Sequence, residues 1–177
     1  MKSGMDLNTN RLLGLVNQLL DFRKTETQGF QLNFVECDVS DILQKTCKRF
    51  RLSARQKELE FVIDSPETVY ASVDKEGLTK IISNLLSNAI KHTEKGEIVL
   101  STTYKDGVFM LKVKDTGTGL DDKQQKQIFK EFARLGNAVT QPGFGLGLSI
   151  VKNLVSLMKG KIDVSSHQGL GSIFTIS

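Results

Sequence analysis

The chain has 177 residues, 39% apolar and 25% charged, which suits one globular domain with a real core plus an appendage. Its net charge of +4 comes from basic residues scattered along the chain, so nucleic acid is not an expected partner. No apolar run nears the ~20 residues of a membrane span, and the start shows no apolar signal segment. Cys37 and Cys47 lack metal-ligand spacing and read as thiols of a reducing compartment.

The first element predicted is an amphipathic helix from about Met5 to Thr27. Leu12, Leu13, Val16, Leu19 and Leu20 form a stripe that needs a partner, and Gln28-Gly29 ends it. A strand over Phe30–Val39 follows, with Phe30, Leu32 and Phe34 alternating against Gln31 and Asn33. Ser40-Asp41 is expected to cap a helix reaching about Ser53. Leu59, Phe61 and Ile63 mark a strand closed by Ser65-Pro66, and Val69–Val73 marks another. Asp74 is placed to cap a long helix from Lys75 to His92, whose apolar residues Leu78, Ile81, Ile82, Leu85, Leu86, Ala89 and Ile90 repeat with period 3.6. Strands Glu97–Tyr104 and Val108–Lys114 flank Asp106-Gly107, a strong hairpin signal. A polar stretch over Asp121–Pro142 holds a small amphipathic piece with Ile128, Phe129 and Phe132. A helix over Gly147–Met158 and strands Lys161–Ser165 and Ser172–Ile176 close the chain. The pattern predicts an α/β sandwich: a mixed, mostly antiparallel sheet with helices on one face, preceded by one long helix.

Three elements carry chemistry. Asp115-Thr116-Gly117-Thr118-Gly119 follows a strand directly, so a carboxylate stands at a strand end with permissive backbone beyond it. Gly143-Phe144-Gly145-Leu146-Gly147-Leu148 opens a helix, where backbone N–H groups and the helix dipole favour phosphate. Its G-x-G-x-G spacing, with no strand before it, is not the dinucleotide fingerprint, and no P-loop is present. Asn84, Asn88 and Lys91 share one face of the long helix at i, i+4 and i+7. Asn is a poor helix former, so that face is expected to do polar work. Taken singly, each motif also fits a turn, a helix lead-in or polar groups bridging the core.

Together the motifs resemble the nucleotide site of the histidine kinase and gyrase-type ATPases, the Bergerat fold. The resemblance rests on an N box (Asn84 to Thr93), a G1 box (Asp115 to Gly119), an F box (Ile128 to Arg134) and a G2 box (Gly143 to Leu148), in that order, with Gly169 to Phe174 matching the last hairpin. It covers about residues 31–177. It implies that Asp115 accepts the adenine amino group and that Gly117, Gly119 and Leu120 line the base. It implies that Gly143, Phe144, Gly145, Leu146, Gly147 and Leu148 run along the phosphates, with the stretch between G1 and G2 as a lid over ATP. Asn88 would hold Mg²⁺, which takes few protein ligands. Lys91 and Arg134 would meet triphosphate charge, and Asn88, Lys91 and Arg134 form the expected catalytic set. His92 stands where the family commonly has Tyr and could still stack on adenine. Phe129 and Phe132 are expected to anchor the lid to the core.

Family members that hydrolyse ATP resemble one another in placing a Glu four residues before the Mg²⁺ ligand. This chain has Asn84 there, and an amide cannot take a proton near neutral pH. The resemblance therefore points to a sensor histidine kinase that passes the γ-phosphate to a histidine for relay to a response regulator receiver domain. The alternatives are a hydrolase of the same fold and an interaction module that has lost ATP. The family's phosphoacceptor His precedes Glu/Asp-Leu-Arg-x-Pro; His92 and His167, the only two here, lack that pattern. Residues 1–28 resemble the second helix of a dimerisation hairpin of hybrid sensors, leaving residues 29–177 as the catalytic domain. The expected setting is the cytoplasmic part of a dimeric, inner-membrane-anchored bacterial sensor, cut so that the acceptor helix is missing. No direct membrane contact is expected of this part.

Overall fold

The computed structural model describes residues 4–26, 29–133 and 145–177. The elements run in chain order: α1 (Gly4–Glu26), β1 (Phe34–Asp38), α2 (Val39–Gln56), β2 (Glu60–Asp64), β3 (Tyr70–Asp74), α3 (Lys75–His92), β4 (Glu97–Lys105), β5 (Val108–Asp115), α4 (Asp122–Gln125), α5 (Gly147–Leu157), β6 (Ile162–His167) and β7 (Gly171–Ile176). Five strands form one sheet in the order β2-β4-β5-β7-β6, with β2 and β4 parallel and the other neighbours antiparallel. The expected mixed, mostly antiparallel sheet is therefore present. β1 and β3 form a separate antiparallel ribbon.

Alternation sets which face is covered. Ile98, Leu100 and Thr102 of β4, Leu111, Val113 and Asp115 of β5, and Ser172 and Phe174 of β7 are all buried, while their neighbours in sequence point outward. Helix α3 lies over β5, α2 over β2, and α5 beside α3. The core between them is built from Leu78, Ile81, Ile82, Leu85 and Leu86 of α3 with Ile150, Val151 and Leu154 of α5. Among the described residues no helix is long and apolar enough to cross a membrane.

Helix α1 docks by its second half. Phe22 is buried, Lys80 Nζ meets Asp21 Oδ1 at 2.6 Å, and Asn153 Nδ2 lies 3.4 Å from Thr25 Oγ1. Leu12, Leu13, Val16 and Leu20 of the expected stripe stay exposed. The helix ends at Glu26, and Gln28 lies outside the described residues.

Two local expectations need correction. The strand expected from Phe30 starts only at Phe34, because Phe30 turns back onto α1 through a hydrogen bond from its N–H to the Lys24 carbonyl, and Asn33 N–H is captured by Asp74. The cap of α2 is Asp38, whose Oδ1 accepts from Ser40 N–H at 2.9 Å; Ser40 and Asp41 are already helical, and the helix runs on to Gln56. The Asp106-Gly107 turn takes positive φ at both residues (53° and 79°), the signature of a tight two-residue hairpin.

Asp74 joins ribbon and core. One carboxylate oxygen accepts from Gly77 N–H at 2.6 Å and caps α3; the other accepts from Asn33 N–H at 2.6 Å. The residue is buried, so truncation would strand both donors. Asp74→Ala is expected to lower stability by about 2–3 kcal/mol, seen as a lower urea midpoint at unchanged slope. A loss below about 0.5 kcal/mol would mean that water replaces both bonds.

Candidate functional site

The loop after β5 is built by close backbone approach. A Cβ at Gly117 would collide with the His92 carbonyl, one at Gly119 with the His167 carbonyl, and one at Gly171 with the Asp115 carbonyl. Gly119 and Gly171 also have positive φ (64° and 97°), so a side chain there is barred twice over. The loop is then stitched at both ends. Thr118 N–H donates to the His92 carbonyl at 3.2 Å, joining it to the end of α3. Gly169 N–H donates to the Thr118 carbonyl at 2.7 Å, and Leu120 N–H to Ser166 Oγ at 2.8 Å, joining it to the β6–β7 hairpin.

Asp115 ends β5 at this junction and is 5% exposed. Gly117 N–H donates to its Oδ1 at 2.9 Å. Burial raises its pKa above the usual carboxylate value, and the backbone N–H groups of Gly117 and Ser172 pull it partly back. No Lys, Arg or His among the described residues pairs with it. A buried carboxylate held by backbone N–H groups, with no cation among the described residues, is costly for folding alone, and it suits a ligand that donates a hydrogen bond.

The long helix brings its polar face to the same region. Asn84 donates to the Lys80 carbonyl at 2.8 Å, and its Oδ1 lies 3.0 Å from where a Cβ on Gly147 would sit. The N-terminus of α5 therefore abuts α3 at Asn84, and a Cβ at residue 147 would press on the Asn84 amide. Asn88 is half-buried one turn on and takes no hydrogen-bond partner among the described residues. Lys91 and His92 close the helix. His92 is pushed down to about 4, first by burial and then by the charges of Lys91 and Lys57, so the imidazole is neutral near pH 7.

The loop side of α5 is only partly described. Gly145 has φ of 74° and packs on the backbone of Phe132 and Ala133, which brings the F and G2 boxes together. Leu146 is fully buried, so only its backbone faces outward chemistry, and Leu148 and Leu120 pack partly against the core. Arg134, Gly143 and Phe144 lie outside the described residues. Phe129 anchors as expected, edge-on to Phe174 with centroids 6.4 Å apart. Phe132 does not: it is 57% exposed, because positive φ (55°) turns it off the core while Ile128 takes the buried place. His167 ends β6, paired with Gly171, two residues beyond the strand end expected at Ser165.

Three contributors were not anticipated. Ser166 and Ser172 are buried hydroxyls 2.9 Å apart beneath the loop. Period-2 alternation with Ile162 and Val164, and with Phe174 and Ile176, would have placed both on the covered face. Lys57 donates through Nζ to the Ile90 and Thr93 carbonyls at 2.7 and 3.4 Å, setting a cation at the carbonyl end of α3. Nothing local in the sequence announces a cap supplied from another helix. Clefts of about 320 Å³ beside Thr25 and Asn153 and about 440 Å³ beside Ser65 and Lys112 contain none of the predicted nucleotide residues.

The family model of histidine kinase-, DNA gyrase B- and HSP90-like ATPases matches residues 73–177, from the end of β3 through the last strand. The chain belongs to this ATPase family. Within it, the sensor protein EvgS of Escherichia coli strain K12 is 34% identical over 173 residues, covering 94% of this chain and 14% of its own length. The sensor histidine kinase GacS of Pseudomonas protegens is 36% identical over 184 residues, covering 98% of this chain and 20% of its own. The chain thus spans a fifth or less of these curated relatives. Among solved structures, full-length ShkA in complex with AMPPNP superposes with a TM-score of 0.83 at 29% identity, over 93% of this chain and 35% of that one. The Acinetobacter baumannii histidine kinase AdeS gives 0.80 at 27%, over 96% and 79%.

In this ATPase domain the neutral His92 predicts a pH signature. Its folded pKa is depressed, so below about 6.5 the unfolded chain binds a proton that the folded chain refuses. Stability is therefore lost as pH falls from 6.5 to 4 and held above 6.5. Relative to His92→Phe, the wild type should lose on the order of 2 kcal/mol across that window after allowing for solvent screening. Urea titrations of both proteins at several pH values measure it; parallel curves would contradict a depressed His92.

Proposed function

We propose that the chain is the ATP-binding catalytic unit of a sensor histidine kinase, which transfers the γ-phosphate of ATP to a histidine on a separate helix. The observation that carries this is the uncompensated Asp115 carboxylate beneath a glycine loop closed onto α3. In this reading Asp115 accepts the adenine amino group, while Gly117, Gly119 and Leu120 shape the base site and neutral His92 stacks on the base. Gly145, Gly147 and the backbone of Leu146 and Leu148 lead the phosphates to the start of α5; Gly143, Phe144 and Arg134 keep the roles the family pattern gives them. Asn88, half-buried beside the α3–α5 junction with an unengaged amide, fits one ligand of Mg²⁺, which would neutralise polyphosphate charge. Lys91 adds positive charge one turn further. Asn84 offers no proton acceptor for water, which favours transfer over hydrolysis.

The wider partners belong to the same reading. Residues 1–28 act as the second helix of a dimerisation hairpin and residues 29–177 as the catalytic domain. The exposed Leu12, Leu13, Val16 and Leu20 support a helical partner for α1, including a homodimer in the parent protein. The acceptor lies on the other hairpin helix, and a receiver domain takes the phosphate from it.

Calorimetric titration with ADP and Mg²⁺ tests the site. Asp115→Asn should weaken binding roughly tenfold to a hundredfold, the worth of a hydrogen bond to a charged group. Asn88→Ala should remove most of the Mg²⁺ dependence while leaving metal-free ADP binding in place. A folded wild-type chain that binds no nucleotide would overturn the reading.

A further inference from the structure

Ser166 uses its whole hydrogen-bonding capacity at one point. A hydroxyl has one donor and two acceptor positions. Ser166 Oγ accepts from Leu120 N–H at 2.8 Å, donates to the Gly171 carbonyl at 2.8 Å, and lies 2.9 Å from Ser172 Oγ, which can fill the remaining position. The residue is buried, so each bond is shielded from water. The three partners belong to two segments that border Asp115, the glycine loop and β7. Leu120 ends the glycine loop, Gly171 packs its α-carbon against the Asp115 carbonyl, and Ser172 is the strand partner of Asp115. Gln125 Nε2 adds a second tie, donating to the carbonyls of Ser166 and Leu120 at 3.0 and 3.2 Å.

We propose that Ser166 is a positioning residue for base recognition: its hydroxyl locks the loop to the β6–β7 hairpin and so fixes the Asp115 carboxylate for a base bearing an exocyclic amino group. The inference rests on the reading of Asp115 as the adenine acceptor. Ser166 itself touches no ligand. Its effect reaches the base through Leu120, Gly171 and Ser172, which set how the Asp115 carboxylate is presented. A hydrogen bond to a charged acceptor depends steeply on geometry, so a loosened loop should erode that contact before it erodes the rest of the site.

The test compares ADP with inosine diphosphate, which lacks the amino group, by competition against a fluorescent ADP analogue on wild type and Ser166→Ala. The wild type should prefer ADP, and Ser166→Ala should cut that preference roughly tenfold, mostly through weaker ADP binding. A purely structural role would weaken both nucleotides alike and keep the ratio, and that result overturns the proposal. Amide hydrogen exchange of the wild type without nucleotide supplies a second readout should Ser166→Ala not fold. The Leu120 and Gly169 amides should be protected well beyond those of an exposed loop; free exchange at Leu120 overturns the proposal on its own. A wild type that binds neither nucleotide breaks the reading of the Asp115 site instead, while intact ADP binding with an unchanged ratio in Ser166→Ala breaks only the assignment of Ser166.

Discussion

The backbone of residues 116–119 passes so close to the end of α3 on one side and the β6–β7 hairpin on the other that no side chain fits at Gly117, Gly119 or Gly171. Everything around the site follows from that approach. It puts the His92 carbonyl within reach of Thr118 N–H and the Thr118 carbonyl within reach of Gly169 N–H, so backbone bonds tie the loop on both sides. It buries Asp115 at the junction with no paired Lys, Arg or His among the described residues. The cost of that burial, visible as a raised pKa, is what a ligand donor at the same point would relieve.

The two long helices complete the enclosure by a similar device. Asn84 sits against the first residue of α5, where a glycine spares its amide a tight contact. Lys57 caps α3 from α2 and adds to the positive field that keeps His92 neutral. An uncharged ring, a buried carboxylate and a half-buried amide thus stand on adjoining elements around one junction. Helix α1 is tied to this body by Asp21–Lys80 and Phe22.

Much of this was legible in the chain. Alternation and 3.6-residue periodicity placed α3, the β4–β5 hairpin and the closing strands within a residue or two, because each buries one clean face. Asp74 was readable as a cap because it precedes the first apolar turn. The glycine motifs were readable because backbone approach tolerates no substitute. Failures came where tertiary contacts overrode local pattern. Phe30 and Asn33 were drawn out of the strand by α1 and Asp74, and Asp38 took the cap from Ser40 because its carboxylate also receives Val69 N–H from the next strand. Phe132 looked like a core anchor by spacing but sits at positive φ. Lys57 was missed because its partner lies 33 residues away, and alternation could place Ser166 on the covered face but not join it to Leu120, 46 residues away.

The central claim is that nucleotide binds where the loop after Asp115 meets α3 and the start of α5. Backbone amide NMR during titration with ADP and Mg²⁺ tests it most directly. The account predicts the largest shifts at Thr116–Leu120, His92, Leu146–Leu148 and Ser172, with α2 and the outer face of the sheet nearly unmoved. Shifts centred instead on the cleft beside Thr25 and Asn153, or on the sheet face near Ser65 and Lys112, would contradict it.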